Sequence, residues 1–537
     1  MQTLLKRKKL LILIGVLVIL LGVFLTKNTV KEDKDTIAIA TMGEPASLDP
    51  HRAIGGTWEQ MVFQDIVSGL IEQNSVGESV PSLAQSWTVS PDGKTYTFKL
   101  RDSKWSDGVP VTAHDFAFSY KRMLSPEIAS NYVSFLYVIK GGEAYNTGKA
   151  RAEDVGVRAV NDKTLEITLE EPISYFINAL THFAFFPVPK HVVEKHGKDW
   201  TKVENIVNNG AYKLVEWKSH SYIKATRNDK YWDAANVKIG NIIYYTQEDR
   251  DAILKRFRSK EIDIVSDFSS DKYDWLMQNM KEQTFTYTYN ATFYLTINLS
   301  NNTKKPLLSK NVRTALAMAI DREFITDKVL RSGEIPAYAF IPTGLDGYVP
   351  VEVTWKTLNK EQRLAKAREL LLAEGISPEN PITIELAYNT SENDKKIVIA
   401  ISNMWKELGI NTELINREVS IHFGELLKQN FNIGRARWVG DYDEASTFLD
   451  LAVTTGSTNY SKYSNLAYDN LVAKGKKSLD KEARNRLYSQ AETILLEDLP
   501  VIPVYYFVSK NLVAPRVKGW QANTSNFHLV KYLSLEN

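Results

Sequence analysis

The hydrophobic pattern of the first third of the chain has the period of β-strands. KTYTFKLRD places Tyr96, Phe98 and Leu100 on one face and lies between the turn sequences PDG and SDGVP, so it predicts a strand of a β-hairpin. TIAIATMG and DKTLEITLEEP alternate in the same way. Residues 57–184 are therefore predicted to form a strand-rich α+β unit.

Two later stretches follow the order strand, helix, strand. The first is IGNIIYYTQ, EDRDAILKRFRS and EIDIVSDF; the second begins with PITIELAYN, continues with a helix that ends at Gly409, and returns in INTELINREV. Units of this kind imply parallel strands. NVRTALAMAI and KEQRLAKARELLLAEG have apolar residues at helical spacing, and Gly375 closes the second of these helices.

FNIGRARWVGDY is predicted to form a further strand of the parallel sheet, ending at residues 438–442. Ligands of open parallel sheets bind outside the carboxyl ends of the strands. Asp441 is therefore predicted to face a crevice, within a stretch where carboxylates lie among aromatic side chains. Asp443, Glu444 and Asp450 of the same stretch are interpreted as turn or helix-start acids.

The N-terminus, residues 1–30, is predicted to be an export signal or membrane anchor. A basic cluster precedes sixteen uncharged, mostly branched residues, Leu10 to Leu25. Since basic residues stay on the cytoplasmic side, the remainder is expected to be periplasmic or otherwise extracytoplasmic. No A-x-A-like cleavage site follows and no cysteine is present to carry a lipid, so residues 10–25 are predicted to tether the chain to the inner membrane.

Composition narrows the class of protein. A length of 537 residues predicts two or three domains. The net charge of +2 includes five basic residues among the first 30, which contain no acid, so residues 31–537 carry −3 and no surface for nucleic acid is predicted. The absence of cysteine excludes disulfides and thiol catalysis. The 26 Tyr, 21 Phe and 11 Trp exceed the needs of a core and suit the lining of a large cavity.

Patterns for catalysis and cofactors are missing. The chain has no G-x-S-x-G and no glycine-rich run that ends in G-K-S/T. His191 and His196 in HVVEKH point about 140° apart on a helix, which predicts a solvated helix and not a metal site. Paired glycosidase acids drawn from residues 441–450 lack a recognisable second acid. No cofactor and no metal are predicted.

AQSWTVSPDGKTYTFKLRDSKWSDGVPVTAHDFAFSYKR, residues 84–122, resembles the signature of the extracytoplasmic solute-binding proteins of peptide-type ABC importers. EPASLDPH, VVEKHGKDWTKVENIVNNGAYKLVEW, YNTSENDKK, RARWVGDYDEASTF and IPVYYFV extend the resemblance in family order over nearly all of residues 36–537. Within the family, the chain is most similar to the oligopeptide-binding members.

The resemblance implies an α/β, bilobal periplasmic-binding-protein fold of the large three-domain type, with mixed sheets and a ligand cleft between lobes that close about a hinge. The implied domain I combines residues 31–56, 185–290 and 509–537. Domain II, residues 57–184, extends the same lobe. Domain III, residues 291–508, forms the other lobe. An N-terminal hydrophobic helix precedes these domains.

The resemblance also implies ligand-binding residues. Asp441 falls where the family holds the α-ammonium of a peptide, and Arg435 where an arginine suits a C-terminal carboxylate. Backbone groups near Arg437 and Gly440 would pair with an extended peptide as an added strand. Glu44, Tyr132, Trp438 and Tyr506 lie in segments that line the family's pocket. For Trp438 and Tyr132 the alternative is simple core packing, and for Arg435 it is a structural ion pair.

Two positions depart from the oligopeptide-binding pattern. Asp394 stands where those members have histidine, and Val419 where they often have tryptophan. An acid in place of a cation weakens the capture of a ligand carboxylate nearby, so ligand length or preference is expected to differ. The alternatives within the family are receptors for a murein tripeptide, a dipeptide or haem.

The sequence thus predicts a monomeric, non-enzymatic receptor that captures short peptides and delivers them to the permease subunits and ATPases of an ABC importer. An exported hydrolase is the rival from another class, and turnover of a peptide would reveal it. A surface adhesin or chaperone would bind its ligands without needing a free N-terminus.

Overall fold

The computed structural model describes residues 34–54 and 57–536. The predicted anchor helix lies outside these residues. Within the described ranges, no helix has the length and apolar character needed to cross a membrane.

The strands are numbered along the chain. They are β1 (Thr36–Ala40), β2 (Ile71–Gln73), β3 (Ser79–Pro81), β4 (Ala84–Val89), β5 (Thr95–Leu100), β6 (Val157–Asn161), β7 (Thr164–Thr168), β8 (Tyr212–Lys218), β9 (Tyr222–Arg227), β10 (Asn241–Tyr245), β11 (Ile264–Val265), β12 (Thr284–Phe285), β13 (Thr288–Ile297), β14 (Ile335–Pro336), β15 (Ile382–Asn389), β16 (Ile410–Arg417), β17 (Ile433–Val439), β18 (Val501–Val508), β19 (Asn511–Val513), β20 (Val517–Lys518) and β21 (Ser534–Leu535).

The helices are numbered in the same way. They are α1 (Thr57–Ile66), α2 (Ala113–Leu124), α3 (Gly142–Asn146), α4 (Phe176–Ala179), α5 (Lys190–His196), α6 (Arg250–Arg258), α7 (Tyr273–Asn279), α8 (Lys310–Ala319), α9 (Arg322–Phe324), α10 (Lys360–Ala373), α11 (Glu392–Lys406), α12 (Val419–Leu427), α13 (Ser446–Leu449), α14 (Leu466–Lys477) and α15 (Lys481–Asp498).

A seven-stranded sheet combines both ends of the chain, in the order β12-β19-β11-β1-β10-β9-β8. The central strand β1 is parallel to both β10 and β11, and α6 connects those two. The predicted first strand and the first β-α-β unit are therefore confirmed. The chain's last segments return to the same sheet, because β19 pairs with β11 and β12.

A four-stranded antiparallel sheet, β4-β5-β7-β6, forms within residues 84–168. The predicted hairpin is confirmed: β4 and β5 pair around a turn in which Gly93 has a φ of 72°, a value that favours glycine. Tyr96, Phe98 and Leu100 are all buried on one face, as the alternation predicted. Each such side chain contributes roughly 1.5–3 kcal/mol through burial.

A six-stranded mixed sheet has the order β14-β18-β13-β17-β15-β16. β15 and β16 are parallel and α11 joins them, which confirms the second β-α-β unit. β17 is parallel to β15 and antiparallel to β13, so the predicted further strand is also confirmed. Helices α8 and α10 occupy the positions that their apolar spacing predicted.

Each of the three larger sheets has its own cluster of buried apolar side chains. The chain is thus an α/β protein with mixed sheets. The domain boundaries stay predictions, although each sheet falls largely within one predicted unit. Two neighbouring segments join the seven- and six-stranded sheets, one after β12 and one after β18. They contact each other where Ser509 N donates to Tyr287 O at 2.8 Å.

Candidate ligand-binding site

The chain turns sharply away from the sheet where β17 ends. Gly440 N donates a hydrogen bond to Asn290 O (2.8 Å), and Asn290 Nδ2 donates to the carbonyl oxygens of Gly440 and Tyr442, both at 3.4 Å. A Cβ atom on residue 440 would lie 2.3 Å from Asn290 Nδ2, so any larger residue would displace Asn290. Asp441 N then donates to Thr447 Oγ1 at 3.1 Å. These contacts fix the direction in which Asp441 leaves the strand.

The carboxylate of Asp441 has no ion-pair or hydrogen-bond partner among the described residues. Asp441 is exposed to the solvent of the cleft. Loss of hydration, and after it the negative charge of Asp450, raises the pKa of Asp441 to about 6. A cation that reaches this carboxylate would relieve the unfavourable environment of its charged form.

Asp441 lines a cleft of about 460 Å³ that has walls from two parts of the chain. Trp438 and Asp441 belong to one wall, and Phe135 and Tyr175 belong to the other. The rings of Tyr175 and Tyr442 stack with their centroids 4.0 Å apart, which joins the walls at one end. The crevice predicted for Asp441 is therefore present, with aromatic sides.

Two further charges line this cleft, and they neutralise each other. Asp450 Oδ2 lies 2.8 Å from Lys476 Nζ. A larger cavity of about 990 Å³ lies on the other side of the 441–444 loop. Its acids already have partners, because Asp443 accepts a hydrogen bond from Asp346 N (3.1 Å) and Asp346 pairs with Lys481 (2.7 Å). Among these side chains, Asp441 is the carboxylate without a partner.

The ladder between β13 and β17 determines which backbone groups face outward. The Gly440 to Asn290 hydrogen bond sets the alternation, because bonded and non-bonded pairs alternate along antiparallel strands. Arg437, opposite Phe293, falls in a non-bonded pair, and so does Val439. The N–H and C=O groups of Arg437 and Val439 therefore point away from β13.

The outer edge of β17 is open over these two residues. β15 pairs with β17 only at Ile433 and Gly434, and the carbonyl of Arg435 accepts a hydrogen bond from His422 Nε2 at 2.8 Å. Beyond that point, the described chain places no strand along this edge. Both backbone groups of Gly440 are bonded to Asn290, so Gly440 has no free group for the backbone pairing with a peptide that the resemblance implied. Val439 is the nearest residue that has free backbone groups.

Arg435 and Asp394 form a buried ion pair. Arg435 Nε lies 3.2 Å from Asp394 Oδ2, with both side chains 6% exposed, and Arg435 Nη1 donates to Asn389 Oδ1 at 2.8 Å. Burial raises the pKa of Asp394 and lowers that of Arg435, each opposed by the charge of the other. Arg435 therefore has the structural acid partner that was the alternative interpretation. Its charge is already matched without a ligand.

Tyr132 lies within electrostatic reach of Asp441. Its ring packs edge-on against Phe183, with centroids 5.1 Å apart. Burial and then the charge of Asp441 raise the pKa of Tyr132. Trp438 Nε1 donates to Thr447 Oγ1 at 3.1 Å, so this ring supports the Asp441 turn and also forms a cleft wall.

The structure places the other predicted pocket residues differently. Glu44 accepts hydrogen bonds from Trp217 Nε1 (2.8 Å) and His220 N (2.9 Å), and these bonds hold the β8–β9 turn. Burial raises the pKa of Glu44, but the hydrogen bonds outweigh it and the pKa is lowered. Tyr506 is buried and its hydroxyl donates to Ala339 O at 2.8 Å. Neither lines the 460 Å³ cleft. Val419 begins α12 and is 46% exposed.

Glu444 lies in the turn directly before α13, as predicted, and its side chain also has a tertiary role that was not predicted. Its side chain is 1% exposed, and Oε2 lies 3.1 Å from Arg484 Nε. Oε1 accepts hydrogen bonds from Ser174 Oγ and Tyr488 OH, both at 2.9 Å. Tertiary packing against α15 buries this acid. Asp443 lies in the turn and Asp450 begins a 3₁₀ turn, as predicted.

Sequence reasoning missed Val439, Tyr175, Lys476 and Asn290. Val439 has free backbone groups, and Asn290 holds the turn at Gly440. The only sequence signal for either residue was the glycine at position 440. Tyr175 and Lys476 come from distant segments, and no sequence pattern points to them. His191 on α5 has its Nε2 atom 2.8 Å from Asp107 Oδ2. The described residues contain no cluster of three or more potential metal ligands.

Known proteins share this architecture. The family model for bacterial extracellular solute-binding proteins, family 5 (middle region), matches residues 78–460. The chain is 39% identical to the periplasmic murein peptide-binding protein MppA of Escherichia coli, over 92% of both chains. It is 37% identical to the periplasmic oligopeptide-binding protein OppA of Salmonella typhimurium, over 93% of both.

Two solved structures of MppA superpose on this chain. The unliganded open form superposes with a TM-score of 0.87 at 38% identity, covering 94% of this chain and 98% of that one. A second structure, of the Escherichia coli protein, gives 0.74 at the same identity, covering 94% and 99%. Both structures cover nearly the whole of this chain, and the superposition on the unliganded open form has the higher TM-score. The chain belongs to family 5 of the bacterial extracellular solute-binding proteins.

Proposed function

We propose that this protein is the extracytoplasmic receptor of an ABC importer and captures short peptides by their α-ammonium group and backbone. The observation that carries the proposal is the unpartnered carboxylate of Asp441, which follows directly on a strand edge with free backbone groups. One end of an extended peptide carries a cation, and its backbone offers the complementary row of donors and acceptors.

Asp441 supplies selectivity for a free amino terminus. An ammonium group in the cleft forms charge-assisted hydrogen bonds with this carboxylate, worth roughly 1.5–3 kcal/mol. An acetylated peptide brings no charge and leaves the carboxylate without a partner when the cleft closes. The site therefore distinguishes a peptide end from the interior of an unfolded chain.

The open edge of β17 binds peptides without reading their side chains. The N–H and C=O groups of Arg437 and Val439 pair with the main chain of a ligand that runs antiparallel to β17 from Asp441. The aromatic walls at Phe135, Tyr175 and Trp438 accept varied apolar groups. Such a site suits a receptor for many sequences.

Lobe closure completes the cycle. The bilobal fold, with domains I and II in one lobe and domain III in the other, closes around the ligand by rotation near the Tyr287 and Ser509 contact. The closed, filled receptor then engages two permease subunits that work with two ATPases. The protein acts as a monomer that residues 10–25 tether to the inner membrane.

Titration calorimetry with trialanine tests the proposal. Unmodified peptide is expected to bind, whereas N-acetyl-trialanine loses nearly all affinity. Asp441→Ala should bind trialanine at least about tenfold more weakly, and the matched control Asp102→Ala, an exposed acid paired with Lys163, should behave as wild type. Equal binding of both peptides by the wild type would refute the assignment, and hydrolysis of trialanine would favour the exported hydrolase.

A murein tripeptide is the second candidate ligand, because the relative at 39% identity is a murein peptide-binding protein. Competition calorimetry, with murein tripeptide displacing trialanine, compares the two ligands at one site. A murein tripeptide that binds much more tightly than any trialanine analogue would make it the principal cargo. A weaker or equal affinity would leave general short peptides as the cargo.

A further inference from the structure

The strand that leads to Asp441, β17, has two arginines in different states. The charge of Arg435 is matched by Asp394 in a buried pair. Arg437 lies two residues nearer Asp441 and is exposed. Its guanidinium has no salt bridge or hydrogen bond to any described side chain. A cation on β17 and the anion of Asp441 just beyond its end thus lie four residues apart, both without a partner among the described side chains.

Arg437 lies opposite a pair of stacked aromatic rings, Phe293 and Tyr505, beside the open edge of β17. Alternate residues of a strand share a face, so Arg435 and Arg437 lie on one side of the sheet, about 6.6 Å apart along β17. Phe293 is opposite Arg437 and its ring stacks on Tyr505 at 4.8 Å. The positive charge of Arg437 counts among the causes that oppose the burial-raised pKa values of Asp394 and Tyr289. The guanidinium of Arg437 is therefore close enough to these groups to act on their charges.

The register of a bound peptide follows from the open backbone groups. With its ammonium at Asp441, an antiparallel peptide places residue 1 opposite Val439 and residue 3 opposite Arg437. Directly opposite residues share a face and bring their Cβ atoms to about 4.5–5.5 Å. The side chain of residue 2 points to the other face.

We propose that Arg437 is a specificity-determining residue that selects peptides with a carboxylate at their third residue. The inference rests on the proposed function and adds the substrate class to it. The carboxylate comes either from an acidic side chain at position 3 or from the C-terminus of a tripeptide, and both lie beside the same guanidinium. Arg437 contributes here through its side chain, in addition to its backbone.

Calorimetry with matched peptides separates the two sources. Ala-Ala-Glu-Ala is compared with Ala-Ala-Gln-Ala for the side chain, and trialanine with its C-terminal amide for the terminus. In the wild type, at least one charged member should bind about tenfold more tightly than its neutral partner at low salt. Ala-Glu-Ala-Ala and Ala-Gln-Ala-Ala, with the acid at position 2, should differ by less than about twofold.

Two variants assign the preference to one side chain. In Arg437→Gln the charged and neutral peptides should bind within about twofold of each other, because the charged peptides lose the partner of their carboxylate. Arg368→Gln, which removes an exposed arginine from α10, is the control and should keep the full preference. Unchanged thermal unfolding of Arg437→Gln excludes a folding defect as the cause.

The outcomes separate this inference from the proposed function. If wild type binds Ala-Ala-Gln-Ala and rejects its acetylated form, but does not prefer carboxylates at residue 3, the receptor function stands and the role of Arg437 is refuted. An equal preference for glutamate at position 2 would refute the register. If none of the free peptides binds, the proposed function itself fails.

Discussion

Two acids of one short loop, Asp441 and Glu444, have opposite surroundings. Glu444 is buried against Arg484 and accepts hydrogen bonds from Ser174 and Tyr488. Asp441 lines the cleft and has no partner among the described side chains. Two carboxylates only three positions apart therefore differ: one is paired inside the protein, and the charge of the other is left unmatched.

The difference shows that one loop contains both an acid with a structural role, Glu444, and an acid that is open to the cleft, Asp441. Glu444 contacts Ser174 and Arg484, and these contacts hold the loop to two distant parts of the chain. Asp441 receives only a backbone contact, from Asp441 N to Thr447 Oγ1. Support and recognition are thus divided between neighbouring acids, and substitutions should affect one property without the other.

The largest effect is expected from Glu444→Ala. The substitution removes one of the two carboxylate partners of buried Arg484, which keeps Asp346 at 2.9 Å, and it leaves the hydroxyls of Ser174 and Tyr488 without their acceptor. Together these losses should lower the free energy of unfolding by about 3–5 kcal/mol. Urea denaturation followed by circular dichroism measures this loss. Glu482→Ala is the control, because its pair with Arg486 is exposed and spans 3.7 Å, so a change below about 1 kcal/mol is expected. Similar effects of both substitutions would contradict the distinction.

Asp441→Asn should show the reverse pattern. Peptide affinity is expected to fall by about 1.5–3 kcal/mol because the ammonium loses its counterion, while the urea midpoint changes little. Calorimetry and denaturation on the same preparation check both parts. A variant that unfolds more easily but binds normally would reverse the roles assigned to the two acids.

The pH dependence of binding should follow Asp441. With a pKa of about 6, its carboxylate becomes protonated below that value, so affinity should fall about tenfold for each pH unit below 6. In the unliganded protein the sign is opposite: the raised pKa means that the folded state binds more protons between pH 4 and 6, so stability from this group declines as pH rises through that range. Titrations from pH 5 to 7 should show the slope in wild type and a flat profile in Asp441→Asn.

The smallest effect is expected from a substitution at Trp438, which contacts the Asp441 turn through Thr447. Trp438→Phe removes the hydrogen bond from Nε1 to Thr447 Oγ1, a loss of about 0.5–1.5 kcal/mol in stability. Because Thr447 also holds Asp441 N, a drop of about twofold to fivefold in peptide affinity should accompany it. Thermal unfolding and calorimetry measure the two quantities. An affinity loss as large as that of Asp441→Asn would place Trp438 in direct contact with the amino end.

The sequence predicted those parts of the fold that periodicity encodes. Alternating apolar residues identified β15, β16 and β17, because sheet burial repeats every two residues. The position of Asp441 at a strand end followed from the same pattern. The burial of Glu444 could not be predicted in this way, because its partner Arg484 lies 40 positions away on α15 and no local pattern shows how that helix packs. The same holds for Asp394 and Arg435, where a helix start meets a neighbouring strand.

The absence of a side chain at position 440 has a consequence for how this loop tolerates substitution. Asn290 occupies the space that a Cβ atom at position 440 would need, so any larger residue there requires Asn290 to move. Asn290 also holds Gly440 N and the carbonyl oxygens of Gly440 and Tyr442, so that movement would loosen the turn that leads to Asp441. The orientation of the Asp441 carboxylate thus depends on an asparagine some 150 positions earlier in the chain.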